Sequence, residues 1–328
     1  MAQNSETLVV VFGTNERYAM PLAVTLASIF EHVTGPVEAY IISTGLSEQT
    51  KARLIRAANS GSRSPRVSFV PITAELLGSF PLFGHISSDA LLRLFIADLL
   101  PQSIEKALYL DCDLYVFEDI RKLWRMDVSR FAVLAARDLG TPKVSSKLGL
   151  PNYKDLGLSP DTPYFNTGVL LMNLKLWREE GIGPRALEYV KNHLQIVKFA
   201  DQDALNALLP NRWGHLELRW NAVLNELRYV DRWEDSEFKR KVEAERLELM
   251  KRPAICHYAS VFKPWNPGHQ IPRISAWMSG LWRSGWFGPL QLTSWYGSWL
   301  LRHFWHLFER KVLGRPDPLV KSWLPSQS

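Results

Sequence analysis

Between residues 8 and 110, short apolar runs alternate with helical patterns, and this alternation limits the fold more than any other feature of the chain. The runs at 8–12, 37–42, 66–70 and 106–110 read as buried strands. Helices are expected over about 18–31 and 47–58. Another is expected over 88–100, with Ser87 or Ser88 as its N-cap and Pro101 as its stop. Strands alternating with helices build a mainly parallel α/β sheet flanked by helices, and such sheets bind ligands at the carboxyl ends of their strands. Beyond 110 the pattern loosens. Strands are expected over 131–135 and 168–173 and helices over 184–194 and 202–208. A loop rich in Pro, Gly, Ser and Lys over 141–163 is expected to lie across the ligand rim. Three prolines and a glycine within 264–272 mark the start of a tail.

With 328 residues, 46% hydrophobic and 22% charged, the chain can bury a full core, and disorder is excluded for most of it. Its formal charge of +6 is concentrated at one end. From Ile271 onward seven Lys/Arg face two acidic residues, which leaves the body close to neutral and argues against nucleic-acid binding. Two cysteines, Cys112 and Cys256, cannot form a disulfide scaffold, so a reducing compartment is expected. The opening residues lack the basic segment and long apolar run of a signal peptide. No stretch reaches the roughly 20 apolar residues that span a bilayer. A cytoplasmic location is expected.

The strand at 106–110 ends in an acidic run, KALYLDCD. Residues two apart on a strand share a face, so Asp111 and Asp113 are expected to point one way and Cys112 the other. Two carboxylates on one face repel unless a cation sits between them, and a hard divalent ion suits such a place. The bland reading is a solvated strand end with ordinary surface acids. His257, at the end of the apolar run PAICHY, could supply a third ligand or be structural. Lys263, in VFKPW, could offer a point charge to a phosphate. Arg93 sits in the apolar segment ALLRLFIADLL, where it either snorkels or has a fixed anionic partner.

Six segments occur in an order that resembles the retaining glycosyltransferases of family 8: VVFGTNERYAMPLAVTLASI, HISSDALLRLFIADLLP, KALYLDCDLYVF, PYFNTGVLLMNLKLWR, ADQDALNALL and HYASVFKPW. They cover about residues 7 to 266. The resemblance implies a single GT-A-type domain over 1–266, with a mixed, mainly parallel sheet, followed by a helical tail over 267–328. It implies that Asp111, Asp113 and His257 bind manganese (or magnesium), and that a UDP-sugar is the donor. Gly13, Thr14, Asn15 and Tyr18 match the loop that holds the uridine. An acid is common in the family where Asn15 stands. Arg93, Asp138, Asn166, Asp201 and Gln202 match positions around the donor sugar. His85 and Lys263 match residues near the diphosphate, and Cys112 and Ser260 fall within the same nucleotide-binding segments. Ser260 replaces a glycine usual before the KPW lysine.

Bland readings stand beside these roles. Asn166 and Gln202 could be turn or cap residues, and Asp201 could be the N-cap of the helix at 202–208. The implied activity is retaining transfer of galactose or glucose to a saccharide acceptor, with a lipopolysaccharide-type glycolipid favoured. Gln202 is the nearest candidate to the far face of the reacting carbon, but a neutral amide is a poor nucleophile, so front-face attack is preferred. The alternatives are a non-catalytic UDP-sugar-binding module and a nucleotidyltransferase, although GTNERY is not a Gly-rich phosphate loop. Seven of the thirteen tryptophans lie in the tail with Arg273, Arg283, Arg302, Arg310 and Lys311. That mixture suits the surface of an anionic inner membrane, or packing on the domain or on another subunit.

Overall fold

A computed structural model describes residues 6–61, 65–72, 88–232, 236–259 and 261–311. The expected alternation is present. Strand β1 (Leu8–Thr14) leads to α1 (Ala19–His32), β2 (Val37–Ser43), α2 (Glu48–Ala58) and β3 (Arg66–Pro71). After a short α3 (Ile96–Leu99) come β4 (Lys106–Leu110), β5 (Leu114–Val116), α4 (Arg121–Trp124) and β6 (Val133–Arg137). Next are β7 (Phe165–Asn173), α5 (Leu174–Glu179), α6 (Ile182–Asn192), α7 (Ala200–Leu208) and β8 (Trp213–Leu216). The chain continues through α8 (Glu237–Lys251), β9 (Ile255–His257), α9 (Ile274–Arg283) and α10 (Pro289–Lys311).

Among the described residues, seven strands form one sheet in the order β3-β2-β1-β4-β7-β6-β8. All its pairings are parallel except the two made by β7, which runs against both β4 and β6. The reversal has a direct consequence for the site. The amino end of β7 lies at the same rim as the carboxyl ends of β1, β4 and β6, so residues from both kinds of strand end converge there. That rim also holds the switch where the chain leaves β1 toward β2 on one side and β4 on the other, the usual ligand crevice of open α/β sheets.

The helix expected over 88–100 is a 3-10 helix at Ser88–Phe95 followed by α3. Apolar spacing alone cannot separate the two, because i,i+3 neighbours share a face in both. Strand β7 begins three residues earlier than expected, and Asn166 therefore lies within a strand rather than in a turn. The segment 141–163 is irregular, pinned by a bridge between Lys143 and Pro163.

Helix α1 is buried on nearly every side, which requires cover on its outer face. Part of that cover comes from α9, where Gly280 lies against Val24 and Tyr115, and Arg283 pairs with Glu31 at 2.6 Å. Trp277 is fully buried, so this part of the tail packs on the domain. Helix α10 is different: Leu290, Leu301, Phe304, Trp305 and Phe308 are exposed, Leu301 by 75%. No helix among the described residues is long and apolar enough to cross a membrane.

Candidate functional site

Beyond β4 the chain makes a tight turn before entering β5, and the turn is fastened from below by α1. The Thr25 hydroxyl lies 2.7 Å from the Cys112 carbonyl and 2.8 Å from that of Leu114, and accepts from the Leu114 amide. Ser28 accepts from the Val116 amide at 3.0 Å. Asp111 and Asp113 sit in this turn, not on the strand as expected, so strand alternation is not what aligns them. They converge because β5 pairs with β9 and sets Leu114 opposite His257. Nε2 of His257 is 3.4 Å from Asp113 Oδ1 and 3.6 Å from Asp111 Oδ2. Cys112 is buried, its thiol donating to the Gly13 carbonyl at 3.0 Å.

The three ligand atoms of Asp111, Asp113 and His257 lie within 4.8 Å of one another. Two carboxylate oxygens and an imidazole nitrogen gathered this closely are a donor set that a divalent manganese or magnesium ion fits. Gly168 makes the approach possible: a Cβ there would stand 2.2 Å from His257 Cε1 and 2.9 Å from Asp111 Oδ2. Lys263 donates to Asp113 and to the Tyr258 carbonyl. Burial by itself would raise the Asp113 carboxyl, but Lys263 and His257 outweigh it and hold it well below the usual carboxylate range.

Arg93 has fixed anionic partners, which removes the snorkelling reading. Its guanidinium donates to Asp111 Oδ1 at 2.9 Å and the Thr167 carbonyl at 2.7 Å, and Nε stands 3.1 Å from Asp201 Oδ2 in an ion pair without a hydrogen bond. Burial opposes its charge, and Asp111 and Asp201 more than restore it. Asp201 is not the N-cap of α7. It lies in the first turn and accepts from the Thr167 hydroxyl at 2.9 Å, while the capping position is Phe199. Burial pushes its carboxyl up to about 6 against the pull of Arg93. The backbone here is strained, with Ala200 at φ 34°, and Asp203 holds the bend by accepting from the Lys198 and Phe199 amides.

Away from the triad, Asp138 follows β6 and gathers neutral donors. Its Oδ2 accepts from Asn166 Nδ2 at 2.8 Å and Gln202 Nε2 at 3.2 Å, and its Oδ1 from the Thr141 amide at 2.7 Å. Gln202 is held at both ends, its Oε1 accepting from the Thr167 amide at 3.1 Å. Asn166 and Gln202 are therefore members of a buried network, not caps. Two residues that the sequence did not single out belong here as well. Asn221 donates to Asn166 Oδ1 at 2.8 Å and contacts His257 Nδ1 at 2.7 Å. Glu226, 8% exposed, faces Asp138, and burial with that neighbour's charge pushes it up to about 7. A tryptophan-asparagine pair and an acid in an apolar segment were the available signals, and neither is specific.

A cleft of about 460 Å³ collects Gly13, Tyr18, Arg93, Asp111, Cys112, Asp113, Asp138, Asn166, Asp201, Gln202, Glu226 and His257. Thr14 and Asn15 are not among the lining residues: Thr14 is buried, and Asn15 Oδ1 accepts from the Tyr18 amide at 3.0 Å to open α1. Tyr18 stands edge-on to Trp265 with ring centroids 5.9 Å apart. His85 and Ser260 lie outside the described residues. The cleft combines a triad that a divalent cation fits, the fixed Arg93 guanidinium and an amide-and-carboxylate surface suited to hydroxyls, while Lys263 braces Asp113 from outside the lining.

The chain is similar over its whole core to several known proteins. It is 26% identical over 304 residues to General stress protein A of Bacillus subtilis, covering 89% of this chain and 96% of the relative. It is 24% identical to the lipopolysaccharide 1,2-glucosyltransferase of Escherichia coli, covering 86% and 80% of the two chains. The solved galactosyltransferase LgtC, in complex with donor and acceptor sugar analogs, superposes with a TM-score of 0.67 at 25% identity, over 88% of this chain and 99% of that one. That likeness assigns the GT-A architecture. The model of glycosyl transferase family 8 matches residues 9–268, the same span that supplies every wall of the cleft, and the chain belongs to that family.

Proposed function

We propose that this protein is a retaining, metal-dependent hexosyltransferase that moves galactose or glucose from a UDP-sugar to a saccharide acceptor of the lipopolysaccharide-glycolipid class. The observation that carries the reading is the Asp111–Asp113–His257 triad opening onto the Arg93–Asp201–Asp138 network in one cleft. Asp111, Asp113 and His257 would hold manganese or magnesium, which would supply Lewis-acid stabilisation of the charge on the departing UDP. Lys263 and Arg93 add positive field at that end. Gly13 and Tyr18 line the nucleotide end. Asp138, Asn166, Asp201 and Gln202 orient sugar hydroxyls. Gln202, fixed by two hydrogen bonds, supports retention by front-face attack, since a pinned neutral amide serves better as an oriented dipole than as a nucleophile.

UDP release from a panel of UDP-sugars, with manganese and with chelator, tests this directly. Slow manganese-dependent release from one hexose donor is expected, with a fall of about 10²–10³-fold in Asp113→Asn. Release that ignores chelator, or tight UDP binding without turnover even with lipopolysaccharide acceptor, would overturn it.

A glycolipid acceptor calls for contact with the cytoplasmic face of the inner membrane, and the exposed side of α10 supports it. Leu301, Phe304, Trp305 and Phe308 stand out from the domain beside Arg302, the composition of an interfacial helix. Co-sedimentation with anionic vesicles should fall sharply in Leu301→Glu/Phe304→Glu, while UDP release from the donor alone is unchanged. Equal binding of both proteins would remove the membrane role.

A further inference from the structure

The hydrogen bonds that join the sugar side of the cleft to the triad have only one consistent direction. The Gly168 amide can only donate, and it donates to Asn166 Oδ1 at 2.9 Å. The Oδ1 atom of Asn166 is therefore its carbonyl end, and its Nδ2 faces the Asp138 carboxylate, which accepts at 2.8 Å. The second contact of Asn166 Oδ1, at 2.8 Å, must then be the amide nitrogen of Asn221. This turns the Asn221 carbonyl toward His257 Nδ1, 2.7 Å away, and a carbonyl there requires the proton to sit on Nδ1. In the neutral ring, the form that binds a metal, Nε2 is then the lone pair, and it is this atom that faces the carboxylates of Asp111 and Asp113. Asn221, His257 and Asn166 are all at least nine-tenths buried, so water does not offer a competing partner.

We infer that Asn221 is a positioning residue that locks His257 in its Nδ1-protonated form for metal binding and couples that ligand to the sugar-holding network. The inference deepens the proposed function and rests on it. Removing the lock leaves imidazole free to protonate Nε2 and to rotate, and outer partners of metal-binding histidines commonly carry about 10–100-fold of the affinity. The two sides of Asn221 separate in its variants. Asn221→Ala loses both bonds. Asn221→Asp still accepts from Nδ1 but presents oxygen, not N–H, to Asn166 Oδ1, so it keeps the histidine lock and breaks the link to the sugar side.

The test uses manganese alone, titrated into the full chain without nucleotide, alongside long-range ¹⁵N–¹H spectra of metal-free protein labelled at histidine. The His257 signal is assigned by its loss in His257→Phe. At alkaline pH, where the ring is neutral, wild type should carry its proton on Nδ1. Asn221→Ala should bind manganese about 10–100-fold more weakly and show a mixed tautomer. Asn221→Asp should keep the wild-type tautomer and manganese affinity within a few-fold, while its KM for the donor rises. Wild-type tautomer and affinity in Asn221→Ala would overturn the lock, and an unchanged donor KM in Asn221→Asp would overturn the coupling. Should Asn221→Ala fail to fold, Asn221→Asp carries both readings, since loss of its Nδ1–H signal also overturns the lock. Absence of manganese binding in wild type would sink the metal-dependent function, while the tautomer of the metal-free protein still reports on Asn221.

Discussion

At one end of the cleft, Asp111 and Asp113 are met by Arg93, Lys263 and His257; at the other, Asp138 and Glu226 are met by the amides of Asn166, Gln202 and Thr141 and by each other. All of these acids but Asp111 are at least nine-tenths buried, so differences in desolvation do not explain their divergent behaviour. The Lys263 ammonium, above all, holds Asp113 well below the usual carboxylate range, whereas burial outweighs the neutral donors at Asp138 and, with the Asp138 charge, raises Glu226. The first environment suits a divalent ion and a diphosphate. The second suits hydroxyls, which need both acceptors and donors, and a carboxyl that is partly protonated near neutral pH supplies both.

The largest contrast should come from adding one methyl group at each end. In Gly168→Ala the new Cβ collides with His257 Cε1 at 2.2 Å and Asp111 Oδ2 at 2.9 Å, and neither can yield without breaking the triad. Manganese affinity should fall at least about tenfold, with a loss of about 1–3 kcal/mol in stability from overpacking. In Gly140→Ala the nearest atoms are Glu226 Oε2 at 3.4 Å and Asp138 Oδ1 at 3.5 Å, an ordinary contact. That variant should bind manganese like wild type and change only the donor KM. Manganese titration and denaturant melts of the two variants check this, and equal losses of manganese affinity would erase the distinction between the ends.

Much of the triad end was legible in the sequence because its parts announce themselves locally. An apolar strand running out into Asp-x-Asp, a histidine closing a second apolar run and an arginine inside an apolar helix all stand against their surroundings. Even there the stated reason was incomplete. A turn held by Thr25 and the three-residue strands β5 and β9 align the acids, and strands of that length carry no readable period. The four-residue β8 escaped for the same cause. No local pattern tells which way a strand runs, so the reversal of β7, which brings Asn166 and Thr167 to the rim, could not be read. The sugar end was harder still. Asn221 and Glu226 act through partners 36 to 88 positions away, and a polar residue in an irregular stretch looks the same whether it is solvated or satisfied at such range. The tail divided in a way composition could not foresee, since Trp277 and Trp282 share one helix, yet the first is fully buried and the second 64% exposed.

The smallest expected effect is the one that reports most directly on the uncompensated end. Glu226 has a folded-state value of about 7 against 4.5 for the free side chain, so between those limits the folded protein binds more protons than the unfolded chain. Stability therefore falls as pH rises from about 4.5 to about 7 and then levels, the reverse of an acid paired with a cation. Full ionisation costs the fold on the order of 3 kcal/mol at this 8% exposed site. Glu226→Gln removes that cost and the slope with it. Urea unfolding should give equal stabilities near pH 5 and a variant about 1–3 kcal/mol more stable than wild type at pH 8. Asp201, raised to about 6, adds a slope of the same sign at lower pH in both proteins and cancels from their difference. On the same reasoning the donor KM of wild type should climb above pH 7, as the carboxyl loses the proton it donates, and stay flat in Glu226→Gln. Parallel stability curves for the two proteins between pH 5 and 8 would mean that Glu226 finds a cationic partner after all, and that both ends of the cleft are compensated alike.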